Sequence, residues 1–233
     1  MCGISGLFDT QGRRSFDPAL AQRINDVQAH RGPDEADLYF EPGLMLGHRR
    51  LSVIDLATGQ QPLFNADGTV GIVFNGEIYN FQSLRTELEA LGHVFRTRSD
   101  TEVIVQAWMA WGPACVHRLR GMFALVIWDS VARRAFAARD PYGIKPLYWA
   151  QTDDGVLLAS QVKALLATGK VSLAPCAQGQ AGFWLLGSVA EPHTWYRDVR
   201  ALPAGHCAWI EEGRMGAPEC WWDIAAAWRD APA

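Results

Sequence analysis

The sequence predicts an α+β layered protein, with antiparallel sheets covered by segregated helices. Three observations carry this. Strand-like runs recur in pairs around tight polar turns, as hairpins do: MFALVIWD (122–129) with RAFAARD (134–140), and LYWAQ with GVLLAS. Helical patterns are segregated from the strand pairs, which suggests antiparallel sheets covered by helices. Hydrophobic residues make up 49% of the 233 and charged residues 20%, enough apolar surface for one large domain or two small ones.

The elements follow in order. Residues 4–9 read as a short strand. PALAQRINDVQA (18–29) places Leu20, Ile24 and Val27 at helical spacing, with Asp17 as cap and Pro18 at the first helical position. HRGPD (30–34) breaks that pattern. Leu44 to Arg50 reads as a strand and VGIVF (70–74) as a buried one. NGE (75–77) then reads as a turn, because Asn-Gly is the commonest hairpin signal. Phe81 to Leu91 is an amphipathic helix stopped by Gly92. SDTEVIVQAWMAWG starts on a Ser99/Asp100 cap and stops at Gly112. After the two hairpins, VKALLATG predicts a short helix, AQGQAGFWLLG a helix, HCAWI a strand, and IAAAWRDAPA a helix start or linker stub. The adjacent Trp221 and Trp222 are a candidate seat for a partner.

Composition excludes several classes. A formal charge of −4 leaves no basic footprint for nucleic acid. No run of eighteen apolar residues reads as a membrane span, and the start has no basic region followed by an apolar core. The five cysteines are widely spaced and lack CxxC pairs, which argues against a metal site and a disulfide framework, and points to a reducing cytoplasm.

The polar points that remain suggest a chemistry. MCGISGLFD puts Cys2 directly after Met1, with small neighbours. Removal of Met1 would place a thiol and a free α-amine on one residue. The amine titrates at roughly 7.7–8.0 and the thiol at about 8.5, so the amine can serve as base for the thiol beside it. Hydrolysis of the side-chain amide of free glutamine needs a nucleophile, donors for an oxyanion, a fork for the α-carboxylate and carboxylates for the α-ammonium. Cys2, Asn75 with Gly76, Arg50, and Glu77 with Asp100 supply those parts in turn. Each lies beside a predicted break between elements, where sites concentrate.

The motifs MCGISGLFD, HRGPD, GHRRLSVIDLATGQQPL, FNGEIYNF, TRSDTEVIVQAW, LRGMFALVIWD and ARDPYGIKPLYW, in that order, resemble the class II glutamine amidotransferase domain of glutamine-hydrolysing asparagine synthetases. A weaker resemblance continues through GSVAEPHTWYRDVRALPAGH. The resemblance implies an N-terminal-nucleophile hydrolase fold, an α/β/β/α sandwich of two stacked antiparallel sheets. It implies Cys2 as nucleophile after loss of Met1, and Asn75 and Gly76 as oxyanion hole. It implies a glutamine-binding stretch over Arg50, Leu51, Ser52, Val53 and Ile54, completed by Asn75, Gly76, Glu77 and Asp100. The amidotransferase domain is expected over 2–215, with 216–233 a linker stub or tail. Such proteins carry a second domain that activates a carboxylate with ATP and Mg and receives the ammonia. Its SGGxDS loop is absent from this sequence, as is GxxxxGK[ST]. No cofactor is therefore expected in this chain. The expected partners are glutamine and an ammonia-accepting synthetase domain or subunit, and a homodimer stays open. Two alternatives also stay open: a catalytically silent glutamine-binding or regulatory module, and a different amide hydrolase on the same fold.

Overall fold

Strands buried on both faces need cover on both faces, and this chain supplies it in layers. The computed structural model describes residues 1–53, 55 and 57–229. The first half comprises β1 (Gly3–Phe8), α1 (Pro18–Asp26), β2 (Glu35–Glu41), β3 (Leu44–Arg50), β4 (Leu63–Phe64), β5 (Val70–Ile78), α2 (Phe81–Ala90) and α3 (Asp100–Trp111), then a 3₁₀ helix (Gly112–Arg118). The second half comprises β6 (Gly121–Asp129), β7 (Arg134–Arg139), β8 (Tyr148–Thr152), β9 (Gly155–Ala159), α4 (Val162–Leu166), α5 (Ala177–Leu186), β10 (Arg200–Ala201), β11 (His206–Glu211), β12 (Arg214–Met215), β13 (Glu219–Cys220) and α6 (Ile224–Arg229).

The strands form two antiparallel sheets. One runs β10-β8-β9-β1-β3-β2; the other runs β12-β11-β7-β6-β5-β4, with β13 also on β11. The period of two sorts their side chains into three apolar layers. Ile4, Phe8, Leu44 and Leu46 of the first sheet meet Val73, Ala124, Val126 and Trp128 of the second. The opposite faces carry Leu7, Met45 and Leu157 against α1 and α4, and Ile72, Phe74, Leu125 and Ile127 against α2 and α3. The result is the α/β/β/α sandwich that the motifs imply.

Local signals explain several boundaries. The Asp17 side chain accepts from the Ala19 N–H and Pro18 opens α1. Ser99 caps α3 by accepting from the Glu102 N–H. Gly92 after α2 takes a φ of 92°, which a side chain would resist.

The structure departs from the sequence reading at two points. The NGE segment is no turn: β5 runs unbroken through Asn75, Gly76 and Glu77, which pair with Ala124, Phe123 and Met122 of β6. Nine consecutive cross-strand pairs outweigh the local preference of Asn-Gly for a turn. A strand the sequence hid, β2, forms the edge beside β3 from an acid-rich, half-exposed segment. Trp221 and Trp222, the candidate partner seat, are half-buried and pack against rings of this chain. Trp221 stacks on Phe123 at 6.0 Å between ring centroids, and Trp222 lies 5.0 Å from Tyr142. Past position 215 the second sheet continues, since Glu219 and Cys220 pair with Cys207 and His206.

Candidate active site

The inner faces of the two sheets turn polar at one end. Along β1 the inward positions run Phe8, Gly6, Ile4, and the next step is Cys2. Along β3 they run Leu44, Leu46, His48, Arg50; along β5, Val73 is followed by Asn75 and Glu77. The antiparallel register pairs Gly3 with Arg49, and one further step sets Cys2 beside Arg50. The Leu51 N–H lies 3.5 Å from the Cys2 sulfur, and the thiol lies 3.7 Å from the Leu51 carbonyl. The Arg31 Nε donates to the Cys2 carbonyl at 2.9 Å, fixing the main chain there.

A cavity of about 190 Å³ opens at this end. Cys2, Arg50, Leu51, Val53, Asn75, Gly76, Glu77 and Asp100 all line it. Two members of the expected glutamine-binding stretch behave otherwise. Ser52 is not among the lining residues; its N–H donates to Asp34 Oδ2 at 2.8 Å. Ile54 lies outside the described residues.

Strand geometry explains the donors. Asn75 is 1% exposed, yet among the described residues its Nδ2 has no hydrogen-bond partner. An unsatisfied buried donor costs about 1–3 kcal/mol, so the fold holds this amide ready at a cost. The Phe74 N–H donates to Gln61 Oε1 at 2.7 Å and the Ile78 N–H to Asp100 Oδ2 at 3.0 Å, both away from β6. By the period of two, the Gly76 N–H between them points the same way. Gly76 is required by packing: a Cβ would fall 2.3 Å from the Met122 carbonyl oxygen and 2.7 Å from the Phe74 ring.

The charged groups are held individually. Arg50 is 4% exposed; its Nη1 donates to Glu35 Oε2 at 2.9 Å and its Nη2 to the Asp55 carbonyl at 2.6 Å. Those contacts orient the fork in the wall of the cavity. Burial pushes the Asp100 carboxyl up to about 6, and the nearby charge of Glu77 adds to it, against the pull of the Ile78 and Thr101 N–H groups. His48 is buried between the sheets, and its imidazole is 3.2 Å from the Phe74 carbonyl. Burial lowers its pKa to about 4, with Arg50 adding to the effect, so near neutral pH the uncharged ring donates Nε2–H across the layers.

Sequence reasoning gave no role to Gln61, Thr101, Met122 or Lys145, which also line the cavity. Gln61 ties β5 to α3: its Oε1 accepts from Phe74 and its Nε2 donates to Thr101 Oγ1. Both Gln61 and Lys145 stand within motifs carrying the family resemblance, GQQPL and YGIKPLYW. Periodicity offers no signal for either, since both stand outside the regular elements.

The stacked antiparallel sheets, with the start of β1 opening into a polar cavity between them, define the fold of the N-terminal-nucleophile amidotransferases. The structure superposes on glutamine phosphoribosylpyrophosphate amidotransferase from B. subtilis with a TM-score of 0.67, covering 94% of this chain and 49% of that one at 20% identity. The family model described as a glutamine amidotransferase domain matches residues 1–222. The chain belongs to that glutamine amidotransferase family. It is 32% identical over 225 residues to asparagine synthetase [glutamine-hydrolyzing] 3 of Bacillus subtilis, covering 95% of this chain and 36% of that protein. To asparagine synthetase [glutamine-hydrolyzing] 1 of the same organism it is 42% identical over 168 residues, 71% of this chain and 27% of that protein. A putative asparagine synthetase [glutamine-hydrolyzing] of Mycobacterium tuberculosis is 37% identical over 233 residues, covering 92% and 36%. The chain thus spans about a third of the length of the curated relatives it matches. Among the described residues no helix is long and apolar enough to cross a membrane.

Proposed function

We propose that the chain is a glutaminase that hydrolyses glutamine to glutamate and ammonia through Cys2, freed at its amine by removal of Met1. One observation carries the reading: the Cys2 sulfur and the unpartnered Asn75 amide serve one cavity walled by Arg50, Glu77 and Asp100. The Cys2 amine takes the thiol proton and the sulfur attacks the side-chain carbonyl carbon of glutamine. Asn75 Nδ2 and the Gly76 N–H receive the oxyanion. The proton passes to the departing nitrogen, ammonia leaves, and water cleaves the γ-glutamyl thioester to glutamate. Arg50 holds the α-carboxylate of the substrate, and Glu77 and Asp100 hold its ammonium. The ammonia passes to an ATP-dependent synthetase domain or subunit, a reading supported by the names and greater length of the relatives.

The test uses protein whose loss of Met1 is verified by intact mass. Glutamate release from glutamine is expected, with a collapse of at least about 10³-fold when Met1 is retained. Full activity with Met1 attached would rule out the amine as base. Lack of release together with failure of a thiol-reactive glutamine analogue to label Cys2 would remove the reading altogether.

A further inference from the structure

Strand β5 is gripped from two directions just before Asn75. Among the described residues β4 pairs with β5 only at Gly71 and Ile72. Beyond that point the backbone groups of β5 that face away from β6 need other partners, because a buried N–H or C=O left unpaired is costly. Phe74 takes both of its partners from side chains. Its N–H donates to Gln61 Oε1 at 2.7 Å, and its carbonyl lies 3.2 Å from His48 Nε2. A carbonyl only accepts, so the ring carries its proton on Nε2 there. Gln61 is anchored in turn, its Nε2 donating to Thr101 Oγ1 of α3 at 3.2 Å. His48 stands on β3 between Ile4 and Asp37, and its own carbonyl accepts from Asn25 Nδ2 of α1 at 3.3 Å. His48, Gln61, Phe74 and Thr101 are all buried.

The place of these two bonds matters more than their number. Phe74 directly precedes Asn75, and His48 is one inward position before Arg50 on β3. The His48–Phe74 bond therefore crosses between the sheets beside the groups that take opposite ends of glutamine in the proposed reaction: Arg50 at the α-carboxylate, Asn75 and Gly76 at the side-chain carbonyl. Within its own sheet β5 has a fixed backing. Phe123, opposite Gly76 on β6, donates its N–H to Asp140 Oδ2 at 3.1 Å and accepts from the Asp140 N–H at 2.8 Å. The Asp140 carboxylate is fully buried and also accepts the N–H groups of Tyr142, Ile144 and Lys145. Thus β6 fixes β5 along the sheet, while the bonds to Phe74 fix it relative to β3 and α3. His48 itself is not among the residues lining the cavity.

We propose that His48 and Gln61 are positioning residues for the oxyanion hole: by gripping the carbonyl and the N–H of Phe74 from two directions, they hold the Asn75 amide and the Gly76 N–H at a fixed reach from Arg50. Donors stabilise an oxyanion only when they already stand where it will form, and a misplacement of about 1 Å costs on the order of 10²-fold in rate. This role rests on the glutaminase reading and supplies what sets the spacing between the two halves of its site.

The test compares Met1-trimmed wild type with His48→Phe and Gln61→Met, which each lose one bond to Phe74, and with His48→Gln, whose amide N–H can reach the same carbonyl. Glutamine hydrolysis is measured per folded molecule, and main-chain amide exchange by NMR. His48→Phe and Gln61→Met are expected to lower kcat by about 10- to 100-fold with KM within about twofold of wild type, since Arg50, Glu77 and Asp100 keep their grip. His48→Gln should regain most of kcat. Exchange at the Phe74 and Asn75 amides should quicken by about tenfold or more in His48→Phe and Gln61→Met, while Ile72 keeps its wild-type protection. Where His48→Phe fails to fold, Gln61→Met carries the same comparison. Lowered stability with wild-type kcat per folded molecule overturns the proposal, because the pair would then be ordinary core polar groups. A rise in KM alone also overturns it, because the change would then lie in the grip on glutamine. If wild type releases no glutamate, the glutaminase reading fails by itself; quickened exchange confined to Phe74 and Asn75 then upholds the grip on β5, and unchanged exchange removes it.

Discussion

The two ends of the layer between the sheets use the same strands to opposite purposes. At one end Phe8 and Trp128 lie 6.5 Å apart between ring centroids among Leu44, Val156 and Ala135, and the Trp128 Nε1–H is satisfied by Glu41 Oε1 at 2.8 Å. At the other end, two or three inward positions along, the same faces present Cys2, Arg50, Asn75 and Glu77, and one buried amide has no partner. The Trp128 indole at the apolar end obeys the ordinary rule that buried polar atoms are paired. The Asn75 amide at the polar end breaks it, as do several buried atoms elsewhere, Trp149 Nε1 among them. What sets the polar end apart is that its unpaired donor lines a cavity beside Cys2.

Mutations that act on one end only would sharpen this contrast. The largest effect is expected from Phe8→Ala. It should cost about 3–5 kcal/mol in urea unfolding while leaving glutamine hydrolysis per folded molecule unchanged. A proportionate loss of turnover in the folded fraction would break the separation of the ends. Next, Asn75→Ala should lower kcat by about 10²–10³-fold, or roughly 2.7–4 kcal/mol of transition-state stabilisation. Its unfolding free energy should stay within about 1 kcal/mol of wild type, since the deleted donor bonds to nothing in the free protein. A large destabilisation with mild kinetics would make Asn75 an ordinary core residue. The smallest effect concerns Asp100, whose carboxyl lies at about 6 in the folded chain against roughly 3.9 unfolded. The folded state binds this proton more tightly, so its stability contribution is full below about pH 4 and is lost as pH rises through about 6, on the order of 3 kcal/mol. Asp100→Asn should flatten that slope. For the same reason KM for glutamine should climb below pH 6, because only the ionised form attracts an ammonium. A KM independent of pH between 5 and 7 would exclude Asp100 from that role.

The contrast also explains what the sequence revealed. Leu44 to Arg50 is observed with the boundaries its composition predicts, and Asp17 and Ser99 cap the helices they precede. Such signals are local: a cap, an apolar run, a stop. The polar end is where local signals mislead. Asn75-Gly76 carries a strong turn preference, yet the β6 register holds it extended, which sends the Asn75 side chain between the sheets and turns the Gly76 N–H sideways. The β2 edge strand was hidden because its half-exposed, acidic residues show no clean alternation. Chemical type and motif order point to Cys2, Arg50, Glu77 and Asp100; Lys145 and Gln61 emerge only when separate segments are brought to one cavity.

One last consequence attaches to Asp140. Four amide hydrogens converge on its two oxygens, so it works as a clasp on the 140–145 segment without itself lining the cavity. Where Lys145 enters the cavity is thereby governed by a residue outside it. Damage to the clasp would surface as a sluggish enzyme whose reacting groups are all intact, and would be traced to its source by the loosened exchange of those amides.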